Sequence, residues 1–327
     1  MKKPIYVAII IGLFLTGCKT QKVAYQLTSV PEEGGISFTQ LTQEDENIIH
    51  PGISVNEVTK ALQWWAPPLL AISPDGEKLA YLAKQNNYHN LYIRNISGGR
   101  SKIQRTFNRN VYDMTYSPDG KNIAFTDKYD GNNNINLINA TEGAAVTQLA
   151  GTAANELGPT FTPNGKIIFY TVQQGIRYYV WSVNVETGLK TQHCEGYTPV
   201  LTPDGKKLLV TRNNKDTGLG EIWVIDLDKG QETFIFGDKE RGFSSPSISS
   251  DGETIAMVGV TKSTETRARN LDIYTVKIDG TKFTQLTFHE GHDVSPIWDN
   301  TGENIIFLAQ RGNSTGAWNI WKMNIKK

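Results

Sequence analysis

From residue 36 onward, short apolar runs alternate with polar turns. Leu69-Leu70-Ala71-Ile72 leads into Ser73-Pro74-Asp75-Gly76, and Lys78-Leu79-Ala80-Tyr81-Leu82 follows. Runs this short, bounded by Pro, Asp and Gly, predict strands. Near-copies of the turn recur as Ser117-Pro118-Asp119-Gly120, Thr162-Pro163-Asn164-Gly165, Thr202-Pro203-Asp204-Gly205, Ser249-Ser250-Asp251-Gly252 and Asp299-Asn300-Thr301-Gly302. Proline presets φ for the second place of a type I turn, a short polar residue suits the first and glycine the fourth. Each tetrapeptide therefore reads as a hairpin joining two inner strands. One carboxylate per turn is a poor cage for calcium, which takes roughly 6–8 oxygens.

A third strand recurs after each pair: Asn90-Leu91-Tyr92-Ile93, Ile135-Asn136-Leu137-Ile138, Val180-Trp181-Ser182-Val183, Ile222-Trp223-Val224-Ile225, Ile273-Tyr274-Thr275-Val276 and Ile320-Trp321-Lys322-Met323. Turns such as Asp228-Lys229-Gly230 then lead into fourth strands such as Gln231–Phe236. The turn glycines at 76, 120, 165, 205, 252 and 302 are spaced 40 to 50 residues apart. That period, built from short strands, predicts an all-β, six-bladed β-propeller of four-stranded blades.

The last repeat ends after its third strand. Phe38-Thr39-Gln40-Leu41-Thr42 near the start is identical to Phe283-Thr284-Gln285-Leu286-Thr287 at the outer edge of the fifth repeat. The amino-terminal strand is thus expected to complete the last blade and close the ring, since closure removes exposed edges. Between this strand and the first repeat, Ser54 and Glu57 form a capping-box pattern, and Val55, Val58, Leu62 and Trp65 share a helical face. A short helix over 54–65 is expected, stopped by Pro67-Pro68. Its Trp64-Trp65 pair reads as packing or as a partner contact.

The first residues change the picture of where the chain works. Lys2-Lys3, an apolar run from Tyr6 to Leu15 and the lipobox-like Leu15-Thr16-Gly17-Cys18 read as a lipoprotein signal over 1–17, with Cys18 as the lipidated residue. Residues 18–35 read as a flexible tether and 36–327 as the propeller. The chain carries 33 basic and 33 acidic side chains, and cleavage before Cys18 leaves a net charge of −2. Nothing in that balance suits nucleic acid, which calls for a basic face. Cys194 would be the sole remaining thiol, so no internal disulfide is expected.

The combination of S-P-D-G, Leu-Tyr-Ile or Ile-Trp-Val, an x-D-G turn and T-Q-L-T resembles the TolB-type propeller repeat, also called the WD40-like or PD40 repeat, over roughly residues 36 to 327. Trp298-Asp299 lies in a first strand, so it is not the ordinary WD40 signature. The resemblance implies a propeller without the α/β domain that precedes it in TolB, because residues 19 to 66 are too short for one. The propeller also resembles the non-catalytic domain of prolyl-oligopeptidase-type peptidases.

Catalytic motifs are sparse. Gly312-Asn313-Ser314-Thr315-Gly316 matches G-x-S-x-G, but it joins two strands and no histidine follows residue 292. His289-Glu290-Gly291-His292-Asp293 lies in a loop, whereas H-E-x-x-H needs a helix. Loop topology places His50, His89 and His292 on one face, a pattern that resembles the metal site of propeller-type pectate-fragment lyases. That face is also the candidate ligand- or partner-binding surface. Asp113, Glu156 and Asp293 enter it from the loops into first strands, and Tyr88, His89, Tyr129, Arg177, Lys215, Arg267 and Arg311 from the loops between second and third strands.

The sequence thus implies a monomeric, cofactor-free binding scaffold. Cys18 would anchor it to the periplasmic face of the outer membrane, and its partner would be an envelope protein or a peptidoglycan-associated component. The alternative is a metal-dependent oligosaccharide lyase with its site at the channel mouth.

Overall fold

The structure, a computed structural model, describes residues 28–33, 35–43, 46–49, 69–99, 101–128, 131–141, 143, 145–261, 270–311 and 317–325. Among them every regular element is a strand. Two strands, β1 (Thr28–Glu33) and β2 (Ile36–Gln40), precede the first repeat. The first blade contains β3 (Leu70–Ile72), β4 (Lys78–Gln85), β5 (Tyr88–Asn95) and β6 (Lys102–Gln104), and the second β7 (Val111–Tyr116), β8 (Asn122–Lys128), β9 (Asn133–Asn139) and β10 (Val146–Ala150). The third contains β11 (Asn155–Phe161), β12 (Ile167–Gln174), β13 (Arg177–Asn184) and β14 (Lys190–Glu195). The fourth contains β15 (Tyr197–Leu201), β16 (Lys207–Asn213), β17 (Gly220–Asp226) and β18 (Glu232–Phe236). β19 (Arg241–Ile248), β20 (Thr254–Thr261), β21 (Leu271–Lys277) and β22 (Thr284–Gln285) form the fifth. The sixth has β23 (Asp293–Trp298), β24 (Asn304–Ala309) and β25 (Asn319–Asn324). All pairings between the named strands of a blade are antiparallel, and the first strands of successive blades touch around a closed circuit, β23 meeting β3. The molecule is the six-bladed propeller that the turn period predicts.

The ring closes as expected. β2 pairs with β25, Phe38 opposite Met323 and Gln40 opposite Trp321. Phe38 is fully buried and meets Phe307 edge-on at 6.2 Å. The identical pentapeptides also make identical hydrogen bonds. Gln40 Nε2 donates to Thr42 O at 2.7 Å as Gln285 Nε2 does to Thr287 O at 2.8 Å. The Thr42 hydroxyl accepts from Ile320 N at 2.8 Å, and that of Thr287 from Ile273 N at 2.9 Å. Two copies of one sequence thus solve the same edge problem 245 residues apart.

Two features depart from the sequence reading. Thr28–Glu33, placed there in the tether, pairs with β2 (Ser29 opposite Thr39, Val30 opposite Phe38), so the last blade has five strands. Pro31 can sit in this strand because an edge has no outward partner for an N–H. The inner strand of the first blade is also a composite. β3 covers only the half of β4 up to Tyr81. Beyond it, Ile49 N donates to Leu82 O, Ile48 bridges Ala83, and Lys84 N donates to Asn47 O. The inner strand of the first blade is thus assembled from two stretches, Asn47 to Ile49 and Leu70–Ile72. The signal segment with Cys18, His50, the expected 54–65 helix, Tyr129, Arg267 and Gly312–Gly316 lie outside the described residues.

The turn tetrapeptides behave as the turn chemistry dictates. Gly76 N donates to Ser73 O at 2.8 Å, the Ser73 hydroxyl contacts the Asp75 carboxylate, and Asp75 Oδ1 accepts Glu77 N at 3.0 Å. The same bonds hold Asp75, Asp119, Asp204 and Asp251 below the usual carboxylate range, led in each case by the turn's own Ser or Thr hydroxyl. These carboxylates lock their own turns. The turns also touch one another around the channel end: Gly120 sits against Pro74, Gly165 against Pro118, Gly205 against Pro163 and Gly252 against Pro203. A Cβ on Gly205 would lie 2.9 Å from the Pro163 ring, so no larger residue fits there. Asn300 closes the circle, its amide donating to Pro74 O at 2.7 Å.

Candidate functional site

Each inner strand runs from the loop face to the turn ring, so the two ends of the channel differ. Towards the turn ring lies a cavity of about 230 Å³ to which all six inner strands contribute, among them Ile72, Tyr116, Thr160, Val200, Ser247 and Trp298. In four blades the inner strand is bulged at a residue of positive φ followed by proline: Gly158, Thr198, Ser245 and Ser295. A β-branched residue at φ 48° is strained. Thr198 is held there by its N–H on Thr171 Oγ1 at 3.1 Å and its hydroxyl on Thr211 Oγ1 at 2.9 Å.

The expected face residues divide into two groups. Asp113, Glu156, Asp293 and Arg311 are buried, not on a rim. Asp113 accepts from Thr126 N at 3.1 Å and, across the joint to the next blade, from Gly158 N at 2.9 Å. Burial pushes its carboxyl up to about 6 against these bonds. Glu156 accepts from the Thr152 hydroxyl at 2.6 Å, and burial raises its carboxyl too. Arg311 Nε donates to Asp293 Oδ1 at 2.8 Å, and its guanidinium lies 4.4 Å from the Phe38 ring centre. Burial raises the Asp293 carboxyl while Arg311 pulls against it. This pair therefore clamps the borrowed strand β2. Charge suggests exposure, but buried charges persist where partners satisfy them.

His292 and His89 are also built into the scaffold. His292 Nδ1 accepts Leu271 N at 3.3 Å, and burial depresses its imidazole. His89 is half-buried against Tyr112, its backbone bridging Asn110, and burial followed by Lys84 depresses it. Among the described residues no three His, Cys, Asp or Glu side chains are grouped to hold a metal ion. Cys194 is mostly buried, which pushes its thiol up to about 11 and makes it a poor nucleophile.

Tyr88, Arg177 and Lys215 are exposed on the loop face. Sequence reasoning missed its apolar members: Ile176, 92 % exposed, with Phe107 and Phe288. The last two each follow the threonine of a Gln-x-Thr outer strand, which is the signal that could have found them.

Arg177 and Lys215 belong to one cleft of about 580 Å³ between the third and fourth blades, within the usual range for ligand sites. One wall is the β12–β13 hairpin with Ile176, Arg177 and Tyr178, and the other is the β16–β17 hairpin with Asn213 to Asp216 and Trp223. The walls are braced internally. Arg212 makes a bidentate pair with Glu232 (2.7 and 2.8 Å), donates through Nε to Glu195 O at 2.8 Å and covers Trp223 at 5.1 Å. Asn214 Nδ2 donates to Glu221 Oε1 at 2.6 Å, and Tyr197 Oη donates to Asn213 Oδ1 at 2.7 Å. A hydrogen bond to Tyr179 raises the Arg177 guanidinium further.

Gly196 makes the floor. The position six residues before the first residue of each turn is Val111, Glu156, Gly196, Phe243 and Asp293 in blades two to six. The other four side chains are buried there, and the fourth blade has none. Gly196 also sits at φ 140°, where a Cβ would meet Thr211 O at 3.2 Å. Its place in the alignment of repeats is a signal that a reading by turns alone passes over.

Residues 15–236, more than half the chain, match the family model described as the TolB beta propeller domain. No curated protein matches. Among solved structures, TolB from Acinetobacter baumannii is similar at 18% identity and TM-score 0.62, covering 77% of this chain and 64% of that one. This chain therefore spans less than two thirds of that protein. A putative TolB from Agrobacterium tumefaciens has 19% identity and TM-score 0.59 over 80% of this chain and 90% of its own. An oligogalacturonate lyase from Vibrio parahaemolyticus has 12% identity and TM-score 0.61 over 93% and 98%. At these identities the likenesses show the fold alone. The match of the family model shows more: this chain belongs to the TolB β-propeller domain family.

Proposed function

We propose that the protein is a lipid-anchored propeller of the bacterial cell envelope that works as a non-catalytic binding scaffold, presenting its loop face to a protein or other envelope ligand. The observation that carries this reading is the open, braced cleft between the third and fourth blades, on a ring in which Asp113, Asp293, Arg311 and His292 are engaged in holding the fold. Kinship with TolB supports the envelope as the place of work. The lipobox-like Leu15-Thr16-Gly17-Cys18 supports the anchor. With β1 docked on the last blade, the span from Cys18 to Thr28 is ten residues, or at most about 35 Å of extended chain. The sixth blade would thus be held near the membrane on its periplasmic side.

Lipid labelling and membrane fractionation of the wild type and Cys18→Ser test the anchor: label and membrane association should both be lost in the variant. Affinity purification from cross-linked cells tests the scaffold. One envelope protein or cell-wall component should co-purify, and its loss with Arg177→Glu/Lys215→Glu would place it on the loop face. Metal-dependent turnover of oligogalacturonate by the purified chain, abolished by His292→Ala, would instead support the lyase reading.

A further inference from the structure

We infer that the cleft between the third and fourth blades takes a neutral peptide segment of a partner protein; this rests on the scaffold reading above and specifies its ligand. The cleft's aromatic rings are already engaged. Arg212 covers Trp223, Phe234 meets the same indole at 5.5 Å and 74°, and Tyr178 and Tyr197 pack on each other at 5.4 Å. A pyranose that binds by stacking needs an open aromatic face, and each of these rings already has a ring or guanidinium neighbour. What faces outward is an apolar knob, Ile176, with amide and charged groups at the hairpin tip, Asn213 to Asp216.

The charges favour the same class. Arg212 is matched by Glu232 and Arg177 lies in the field of Glu195. Lys215 stands beside Asp216, which leaves Glu221 as the odd charge. A polyuronate would meet a lining with no cationic excess. A peptide segment offers amide donors and acceptors to both signs and an apolar side chain to Ile176, with no net charge to be neutralised. Extended peptides are commonly bound in this way, with backbone hydrogen bonds supplying affinity and side-chain contacts selectivity.

The test uses the full chain in detergent and a phage library of random peptides of about twelve residues. Enriched peptides are then measured by fluorescence polarisation. We expect affinity to fall about tenfold or more in Ile176→Asp and in Lys215→Glu. We also expect it to change less than about threefold between ~0.05 and ~0.5 M salt, because the lining carries almost no net charge. Both substituted residues are exposed, so circular dichroism should confirm an unchanged fold. Failure to enrich peptides, or enriched peptides insensitive to both substitutions, overturns the inference. So does cleft-dependent binding of chitotriose or digalacturonate, which would make the ligand a glycan. A co-purifying envelope partner that persists in both variants would sink the peptide cleft yet leave the scaffold reading standing, whereas loss of every partner from the wild type would sink both.

Discussion

Two neighbouring joints of the ring are built from the same repeat and filled in opposite ways. Between the fourth and fifth blades, Phe243 enters from the inner strand and packs on Phe236 at 5.2 Å, Phe283 at 5.7 Å and Tyr274 at 5.8 Å. Phe283 stacks in turn on Tyr274 and Phe236. Between the third and fourth blades, the matching inner-strand position is Gly196, and the joint stays open there, beside the core that Phe169, Val180, Leu201 and Val210 form across the same two blades. A third type lies between the second and third blades, where the buried Asp113 reaches across to Gly158 N. A propeller repeat thus specifies how blades are made, while individual inner-strand side chains decide how the loop-face end of each joint is filled.

The comparison can be broken most forcefully at the filled joint. Phe243→Ala should cost ~3–5 kcal/mol in urea unfolding, because the four-ring cluster cannot collapse into the space. A cost below about 1 kcal/mol would mean that the ring packing is not what closes that joint. The polar joint should show itself through pH. Asp113 is pushed up to about 6 in the fold, from 3.8. The folded state therefore binds the proton more tightly than the unfolded state does, so this group's contribution is largest at low pH and is lost as pH rises through 6. Relative to Asp113→Asn, the wild type should gain ~2–3 kcal/mol as pH falls from about 7 to about 4. Parallel stability curves for the two proteins would refute the buried-carboxylate account.

At the open joint the expected effects are smaller. Gly196→Ala places a side chain in a left-handed conformation 3.2 Å from Thr211 O and should cost ~1–3 kcal/mol. Ile176→Asp, at the most exposed large apolar side chain among the described residues, should change stability by less than ~0.5 kcal/mol while weakening ligand binding. A large stability loss there would mean that Ile176 packs in the fold and does not present a surface.

These contrasts also explain what could be read from the sequence. The turns were legible because Pro and Gly have strict backbone preferences, and the closure was legible because a repeated pentapeptide makes repeated hydrogen bonds. β1 was not, since Thr28–Glu33 adds to an edge and carries no alternating apolar pattern. Nor was the composite inner strand of the first blade, in which Ile48 and Ile49 complete a strand begun some twenty residues later. Asp113, Glu156, Asp293 and Arg311 look like rim residues in the sequence because charge usually marks surface. Their partners, such as Gly158 for Asp113, lie too far along the chain for spacing to reveal them. The cleft was half legible. Arg177 and Lys215 marked its mouth, but the missing side chain at Gly196 becomes visible only when blades are superposed.

The joint between the third and fourth blades is the proposed binding site on which the scaffold reading turns. Hydrogen exchange of the full chain, with and without a saturating selected peptide, tests this most directly. Slowed exchange should be confined to the amides around Ile176–Tyr178, Glu195–Thr198 and Asn213–Gly220. Protection at the Gln85–Tyr88 hairpin or along the turn ring, with none at Ile176 or Gly196, would contradict it.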